Sequence, residues 1–258
     1  MRWTVMSRWL VVLGAMAMAS MASAAEIAGT VQWVQRVELG APVSGVVTRV
    51  SARPGMQVKK GDVLVGLDER RFHAELERVR AEAERLKQVH AEAQREQERG
   101  QELYDRTLLS DHELEVAKIG LATAAAEYQA AKTAVKQAEL DLEYSAVRAP
   151  FDAVVLAVHA GVGQAVAAEL TAVPLVTVAE AGRRRVQLSV DPTQVTALQE
   201  GQSVPVHVRG TTYEGKITHV GLEPVPNAPS LTYPVDILID APESAGLRIG
   251  QSASVNLP

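Results

Sequence analysis

Three residues near the centre of the chain have types and spacing suited to binding another protein. Arg99 is followed by three residues and Leu103, and then by six residues and Ser110. A guanidinium donates fork-like hydrogen bonds to carbonyl or carboxylate oxygens, an exposed leucine is an apolar knob, and a serine can cap a helix and donate. The alternative interpretation makes Arg99 a surface cation, Leu103 the last core layer and Ser110 only an N-cap.

No residues of this sequence are arranged in a pattern that predicts catalysis or a cofactor. The chain lacks a Gly-x-Ser-x-Gly motif, a P-loop and a dinucleotide fingerprint, and it lacks cysteine. No two histidines stand at metal-ligand spacing, although His207 and His219 could meet across neighbouring strands as a surface pair. The six histidines are His73, His90, His112, His159, His207 and His219. We therefore expect no enzymatic activity, no cofactor and no bound metal.

The composition favours small globular domains. The chain has 258 residues, of which 47% are hydrophobic, 22% charged and 4% aromatic, with a net charge of −5. Ala, Val and Leu supply the apolar content, which suits narrow coiled coils and small β-barrels. The negative charge argues against nucleic acid as a partner. Only Met56 among the six methionines lies beyond the N-terminal segment, which argues against delivery of soft metals.

The N-terminus has the features of a secretory signal peptide. Arg2 and Arg8 form a positive region, residues 9–21 are apolar, and Ala22-Ser23-Ala24 is a small-residue cleavage site. The apolar stretch is short for a membrane span. We expect cleavage before Ala25 and export to a bacterial periplasm without a lipid anchor, because the lipid-bearing cysteine is missing. An uncleaved inner-membrane anchor is the alternative.

The middle of the chain predicts an antiparallel helical hairpin. Apolar residues recur at alternating intervals of three and four, the coiled-coil period, and Ser110 with Glu113 forms a capping-box pattern. The short link makes the helices antiparallel, each roughly 50 Å long. Because alanine buries little area, we expect hairpins of several copies to pack side by side. The first seam is Phe72, Leu76, Val79, Ala83, Leu86, His90 and Ala93; the second is Leu114, Ala117, Leu121, Ala124, Tyr128, Ala131, Val135, Ala138 and Leu142.

One stretch of sequence occurs twice, on either side of the hairpin. Ala41-Pro42-Val43-Ser44-Gly45-Val46-Val47 is matched by Ala149-Pro150-Phe151-Asp152-Ala153-Val154-Val155. Val, Gly and Val follow in the same register in both copies, and each copy ends in a short apolar strand. Period-2 strands are expected at Val46, Val50 and Val58 and at Val154, Val158 and Val166. The pattern predicts a β-domain made of two similar halves. Lys59 and Lys60 are interpreted as solvated turn charges.

The C-terminal part predicts several short strands and one short helix. Asp191-Pro192-Thr193-Gln194 is an N-cap, an N1 proline and a capping-box glutamine. Strands are expected at residues 186–190, 204–208, 213–220, 235–239 and 252–257. The basic cluster Arg183-Arg184-Arg185 is interpreted as a solvated linker or a surface for a transporter or lipid head groups.

These features together resemble the periplasmic adaptors of tripartite efflux pumps, also called membrane fusion proteins or HlyD-like proteins. The split repeat resembles a lipoyl domain, and Arg-x3-Leu-x6-Ser at a hairpin turn resembles the family's channel-docking motif. Ala153 departs from the family's usual glycine. The implied fold is α+β and multi-domain, with a membrane-proximal domain absent or rudimentary. The implied domains are a signal peptide at 1–24, a split lipoyl-like domain at 25–70 and 145–181, a hairpin at 71–144 with its tip near 99–111, and a β-barrel at 182–258.

The resemblance implies a role in assembly rather than chemistry. The tip residues Arg99, Leu103 and Ser110 would dock onto a TolC-type outer-membrane channel, and the barrel would contact an inner-membrane transporter. The expected assembly is a hexameric conduit, peripherally associated with the inner membrane. A resistance-nodulation-division (RND) transporter is favoured, with an ABC-type exporter as the alternative. A periplasmic binding or metal-delivery protein is a second class. A third class, a biotin or lipoate carrier, is disfavoured, because a carrier has its modified lysine at the junction of the two halves and this chain has the helical hairpin there.

Overall fold

The computed structural model describes residues 26–168, 173–226 and 230–257. The predicted signal peptide lies outside these residues. Among the helices in these ranges, none is both long and apolar enough to cross a membrane. The chain folds as two compact units, one containing 31–185 and 238–251 and the other containing 26–30, 186–237 and 252–257.

The elements follow one another in a strand–hairpin–strand order. They are β1 (Glu26–Trp33), β2 (Arg36–Leu39), β3 (Gly45–Val50), β4 (Gln57–Val58), β5 (Val63–Leu67), α1 (Arg70–Asp105), α2 (Asp111–Tyr144), β6 (Ala146–Arg148), β7 (Ala153–Val158), β8 (Ala165–Val166), β9 (Val176–Glu180), β10 (Arg183–Val190), α3 (Pro192–Val195), β11 (Ser203–Val208), β12 (Thr211–Val220), β13 (Tyr233–Asp240) and β14 (Ser252–Asn256). A 3-10 turn, Glu243–Ala245, precedes β14.

The repeated segments form a sandwich of two four-stranded sheets. The sheet orders are β2-β9-β7-β4 and β6-β5-β3-β8, so each sheet contains strands from both copies. The copies exchange their short strands: β3 pairs with β8, Gly45 opposite Val166, and β4 pairs with β7, Val58 opposite Ala153. The prediction of one β-domain built from two similar halves is therefore confirmed, and neither half can complete its sheets alone.

The second valine of each repeated pair forms the core of the sandwich. Val47 is 1% exposed, whereas Val46 is 45% exposed. The same holds in the second copy, where Val155 is buried and Val154 is only half-buried. Successive side chains point to opposite faces of a strand, so the second valine of each pair faces the other sheet. In the structure Val47 and Val155, rather than Val46 and Val154, therefore face inward.

Equivalent positions of the two copies make equivalent hydrogen bonds. Ser44 Oγ accepts from the Ala168 amide at 3.1 Å, and Asp152 Oδ1 accepts from the Lys60 amide at 3.0 Å. Lys59 Nζ also lies 3.0 Å from Asp152 Oδ2. Lys59 and Lys60 are exposed in this turn, as expected of solvated turn charges, and the carboxylate of the other copy also holds the turn.

Replacing Asp152 with alanine is expected to lower the melting temperature, and the loss should depend on pH. The Lys60 amide, and then the Lys59 ammonium, hold the pKa of this carboxyl below its usual range. Because the folded-state pKa is lower than the unfolded-state pKa of about 3.9, the ionised carboxylate stabilises the fold at pH values above about 3.9. This contribution is lost as the pH falls through the folded-state pKa. Thermal unfolding at pH 7 and pH 3 tests this. Ser44→Ala, at the equivalent position, removes no charge, and a pH-independent Asp152→Ala effect contradicts the prediction.

The second sheet system is a closed barrel of order β1-β10-β13-β12-β11-β14. β1 was expected within the split domain at 25–70, but it is a barrel strand, and Glu26 pairs with Asn256 of β14. Pairing the first and last strands removes two open edges from the sheet. The short helix α3 begins at Pro192 as predicted, but the Asp191 side chain makes no capping bond. Its backbone carbonyl accepts from the Gln194 amide instead.

The arginine cluster at the start of β10 is structural. Arg184 is 2% exposed, and its guanidinium carbon lies 4.1 Å from the centroid of the Trp33 ring. Arg183 pairs with Glu180, and Arg185 donates to Gln32 Oε1 at 3.1 Å. An arginine stacked on an aromatic face while buried is held by cation–π attraction. The interpretation as a solvated linker or a basic contact surface is therefore wrong for Arg184 and Arg185, whereas Arg183 is exposed.

Candidate functional site

The hairpin of α1 and α2 carries the predicted docking residues at its free end. Ser110 is the N-cap of α2, as the sequence predicts: its Oγ accepts from the Glu113 amide at 3.3 Å, and its own amide donates to Glu113 Oε2 at 3.0 Å. These reciprocal bonds satisfy two backbone donors that would otherwise be unpaired at the helix start. A hydrogen bond from the Ser110 hydroxyl to Glu113 Oε2, and then the bond from the Ser110 amide, lower the pKa of the Glu113 carboxyl.

The structure places every predicted seam residue of both helices in a buried or half-buried position. On α2 the fully buried residues are Leu114, Ala124, Ala131 and Ala138. The aromatic rings of His90 and Tyr128 stack across the seam at 6.0 Å. Arg80 of α1 reaches Glu139 of α2 at 2.6 Å, which ties the helices together at the seam's edge.

The seam continues to the tip through a glycine that sequence reasoning missed. Gly100 is buried, and a Cβ placed on it would lie 3.6 Å from Leu109 Cδ2 and 3.7 Å from Ala117 Cβ. These are ordinary van der Waals distances, so the packing of the two helices just before the turn does not require a glycine at this buried position. The place of Gly100 is consistent with the four-and-three spacing that continues beyond Ala93 to residues 97 and 100.

The turn between the helices is a Schellman motif closed by an unusual residue. The Thr107 amide donates to the Tyr104 carbonyl at 2.8 Å, and the Leu108 amide donates to the Leu103 carbonyl at 2.9 Å. The motif requires a left-handed residue between them, and Thr107 has φ 60°. Glycine usually occupies this position, because a β-branched side chain is strained there.

Replacing Thr107 with glycine is expected to stabilise the hairpin. The strain relieved is about 1–2 kcal/mol, partly offset by the greater freedom of glycine in the unfolded chain, so a net gain of about 0.5–1 kcal/mol is expected. Urea unfolding followed by circular dichroism at 222 nm measures it. Thr107→Ala keeps a Cβ and is the matched control. If the urea midpoint of Thr107→Gly is at or below that of Thr107→Ala, the left-handed backbone at this position is not strained.

The three predicted docking residues lie near this turn, and two of them have partners within the hairpin. Arg99 Nη1 lies 2.6 Å from Glu96 Oε2. Ser110 Oγ donates to Glu113 Oε2 at 2.7 Å. Leu103 is half-buried, so its description as an exposed apolar knob is wrong. Its backbone carbonyl accepts the hydrogen bond from Leu108 that closes the turn.

The apolar residue that is exposed at the tip is Leu108, which the sequence reasoning did not single out. Leu108 is 70% exposed, and Tyr104 beside the turn is at the margin of exposure. A hydrogen bond from the Tyr104 hydroxyl to the Asp111 carboxylate raises the pKa of this tyrosine and links α1 to the start of α2. An apolar residue inside the inter-helix link was the only sequence signal for Leu108.

The histidines do not form the pair considered above. In the antiparallel pairing of β11 and β12, His207 lies opposite Thr212, and its Nδ1 is 2.8 Å from Thr212 Oγ1. His219 Nδ1 lies 3.6 Å from Glu200 Oε1. His207 and His219 therefore have separate partners. In the ranges that the structure describes, no three His, Asp or Glu side chains come together in a metal-binding arrangement.

Comparison with characterised proteins places this fold among membrane fusion proteins. MdtA, a multidrug resistance protein of Pectobacterium carotovorum subsp. carotovorum, is 34% identical over 122 residues, 47% of this chain and 30% of MdtA. The nodulation protein NolF of Rhizobium meliloti is 26% identical over 226 residues, 86% of this chain and 60% of NolF. The chain thus spans less than two thirds of either relative.

Solved structures share the architecture. A MacA–MexA chimera carrying the α-hairpin domain of Pseudomonas aeruginosa MexA is 26% identical with a TM-score of 0.64, covering 91% of this chain and 79% of the chimera. The membrane fusion protein Spr0693 of Streptococcus pneumoniae R6, 16% identical with a TM-score of 0.67 over 91% of this chain and 98% of that one, shares the fold. The model of the CzcB-like barrel-sandwich hybrid domain matches residues 35–179, more than half of the sequence. The chain therefore belongs to the family of proteins with a CzcB-like barrel-sandwich hybrid domain.

Proposed function

We propose that this protein is a periplasmic adaptor that links an inner-membrane transporter to a TolC-type outer-membrane channel in an efflux pump. The observation that carries the proposal is the long hairpin inserted between the halves of the sandwich, with Arg99, Leu103 and Ser110 at its turn. The similarity to MdtA and to the MacA–MexA chimera supports it. The adaptor acts by contact and catalyses no reaction of its own.

The tip is the proposed docking surface for the channel. It lies at the end of the hairpin that is farthest from the sandwich, because α1 starts and α2 ends beside the sandwich strands β5 and β6. Arg106 is exposed at the turn and forms no ion pair within the described ranges. A free guanidinium is suited to carbonyl and carboxylate oxygens, which helix ends and acidic side chains present.

The sides of the hairpin are the proposed contact between copies of the chain. The face of α2 that points away from α1 carries a second seam with the same alternating spacing, the outer seam, and its large members are exposed. Its exposed large apolar residues lie towards the two ends of α2, with small and polar residues between them, and exposed apolar groups of this kind indicate a protein partner. A neighbouring hairpin of the same length fits this seam, and by the family resemblance the ring is a hexamer. The outer seam is Val116, Ile119, Thr123, Ala126, Ala130, Thr133, Gln137, Leu140 and Tyr144.

An in vivo photocrosslinking experiment tests both contacts. A photoreactive residue at Arg106 is expected to capture an outer-membrane channel, and one at Ile119 is expected to capture a second copy of this chain. The same residue at Arg209, in the turn between β11 and β12, is the matched control for exposure. Mass spectrometry identifies the captured proteins.

The captured complex also identifies the transporter class. We propose an RND-type transporter, and its co-purification with the crosslinked channel is the expected result. An ABC-type exporter in its place would refute the RND assignment and leave the adaptor role intact. Capture of the chain's own copies at both positions, with no channel, would contradict the adaptor function.

A further inference from the structure

The hairpin tip contains one apolar side chain that the fold holds out into solvent. Leu108 is 70% exposed, although it lies between two helices and directly after a tightly bonded turn. Its amide is fixed to the Leu103 carbonyl at 2.9 Å, and the preceding Thr107 is left-handed. The backbone of Leu108 is therefore ordered while most of its side chain makes no contact.

This exposure is not what the turn itself favours. In a Schellman motif the residue at the position of Leu108 usually packs on the residue at the position of Leu103. Here Leu103 is half-buried on the hairpin, while Leu108 leaves most of its surface in water. Burial of an exposed leucine is favourable, so the exposed side chain is available to a partner at no cost in backbone ordering.

The surroundings of Leu108 have the composition of a binding anchor with a polar rim. Arg106 is exposed two residues before it, Asp105 accepts from Gln101 Nε2 at 2.9 Å, and Asp111 bonds to Tyr104. Binding energy concentrates in such a central apolar side chain when polar neighbours exclude water around it. Charges of both signs in the rim suit a partner surface that presents carbonyls and amides rather than one strong charge.

We propose that Leu108 is the apolar anchor of the tip and inserts into a socket between helices at the end of the outer-membrane channel. The proposal rests on the adaptor function proposed above. A second copy of the chain is a poorer occupant, because the outer seam on the side of α2 already offers it an apolar face, whereas the tip points beyond that side. Leu103 then supports the turn from within the hairpin and Thr107 is a positioning residue.

Binding of the full chain to a purified TolC-type channel held in nanodiscs tests the anchor by biolayer interferometry. Leu108→Ala is expected to raise the dissociation constant by about tenfold or more. The urea midpoint of this variant should be unchanged, because the side chain is exposed. Leu103→Ala is expected to lower the urea midpoint. Leu222→Ala is the matched control, because Leu222 is a 92% exposed leucine in the other unit.

The outcomes separate this inference from the adaptor function. If the dissociation constant of Leu108→Ala is within twofold of the wild-type value, Leu108 is not the anchor, and the proposed adaptor function is unaffected. An equal loss in Leu222→Ala would also overturn it, because the effect would then not belong to the tip. Absence of wild-type binding, together with no channel captured by crosslinking at Arg106, would overturn the proposed function and the anchor with it.

Discussion

Leu121→Pro is expected to unfold the helical hairpin while the sandwich and barrel stay folded. Leu121 is the eleventh of the 34 residues of α2 and is half-buried in its seam. Proline removes one backbone hydrogen bond and clashes with the preceding turn, at about 3 kcal/mol or more. The Ala-rich seam cannot compensate, because each alanine buries little apolar surface. Circular dichroism at 222 nm measures the loss of helix.

Two substitutions at the same place serve as controls. Leu121→Ala removes the apolar side chain but keeps the hydrogen bond, so most of the helical signal should remain. Gly120→Ala is expected to raise hairpin stability by about 0.5–1 kcal/mol, because a Cβ at Gly120 has no atom within 4 Å. Full helicity of Leu121→Pro at 25 °C would refute the assignment of one continuous helix from Asp111 to Tyr144.

Gly29→Val is expected to disrupt the barrel. A Cβ at Gly29 would lie 2.3 Å from Leu188 Cδ2 and 2.9 Å from the backbone oxygen of Gln187. Leu188 is buried in the barrel, and a backbone atom cannot move aside alone, so the strands must separate. Overpacking typically costs about 1–3 kcal/mol, and a valine against a backbone oxygen should reach at least the upper end.

Limited trypsin digestion with mass spectrometry reads out this effect locally. New cleavage at Arg209 and Lys216, in the barrel hairpin of β11 and β12, is expected in Gly29→Val. Ala28→Val places the same side chain one residue earlier, where it is exposed on the opposite face of β1, and should leave these sites protected. Equal digestion of both variants would show that the close contact at Gly29 is not what holds the strands.

Most of the hairpin could be predicted from local sequence. The three-and-four spacing from Leu114 to Leu142 specifies which face of α2 is buried, and Ser110 with Glu113 specifies where the helix begins. Both signals act within one or two helical turns, so they need no knowledge of distant residues. The exposure of Leu108 was not predictable in this way, because it depends on the left-handed Thr107 and on the bonds that close the turn.

In the β-domains, too, some features could be predicted from local sequence and others could not. The repeat predicts that residues 41–47 and 149–155 form equivalent strands, because the same residue types occur in the same order in both segments. The sequence did not indicate which valine of each pair points inward. It also did not indicate that Asp152 holds the turn at Lys60, or that β1 closes the barrel against β14. These features depend on register between segments far apart in the chain. Many registers satisfy the local pattern equally, and only the packed tertiary structure selects one.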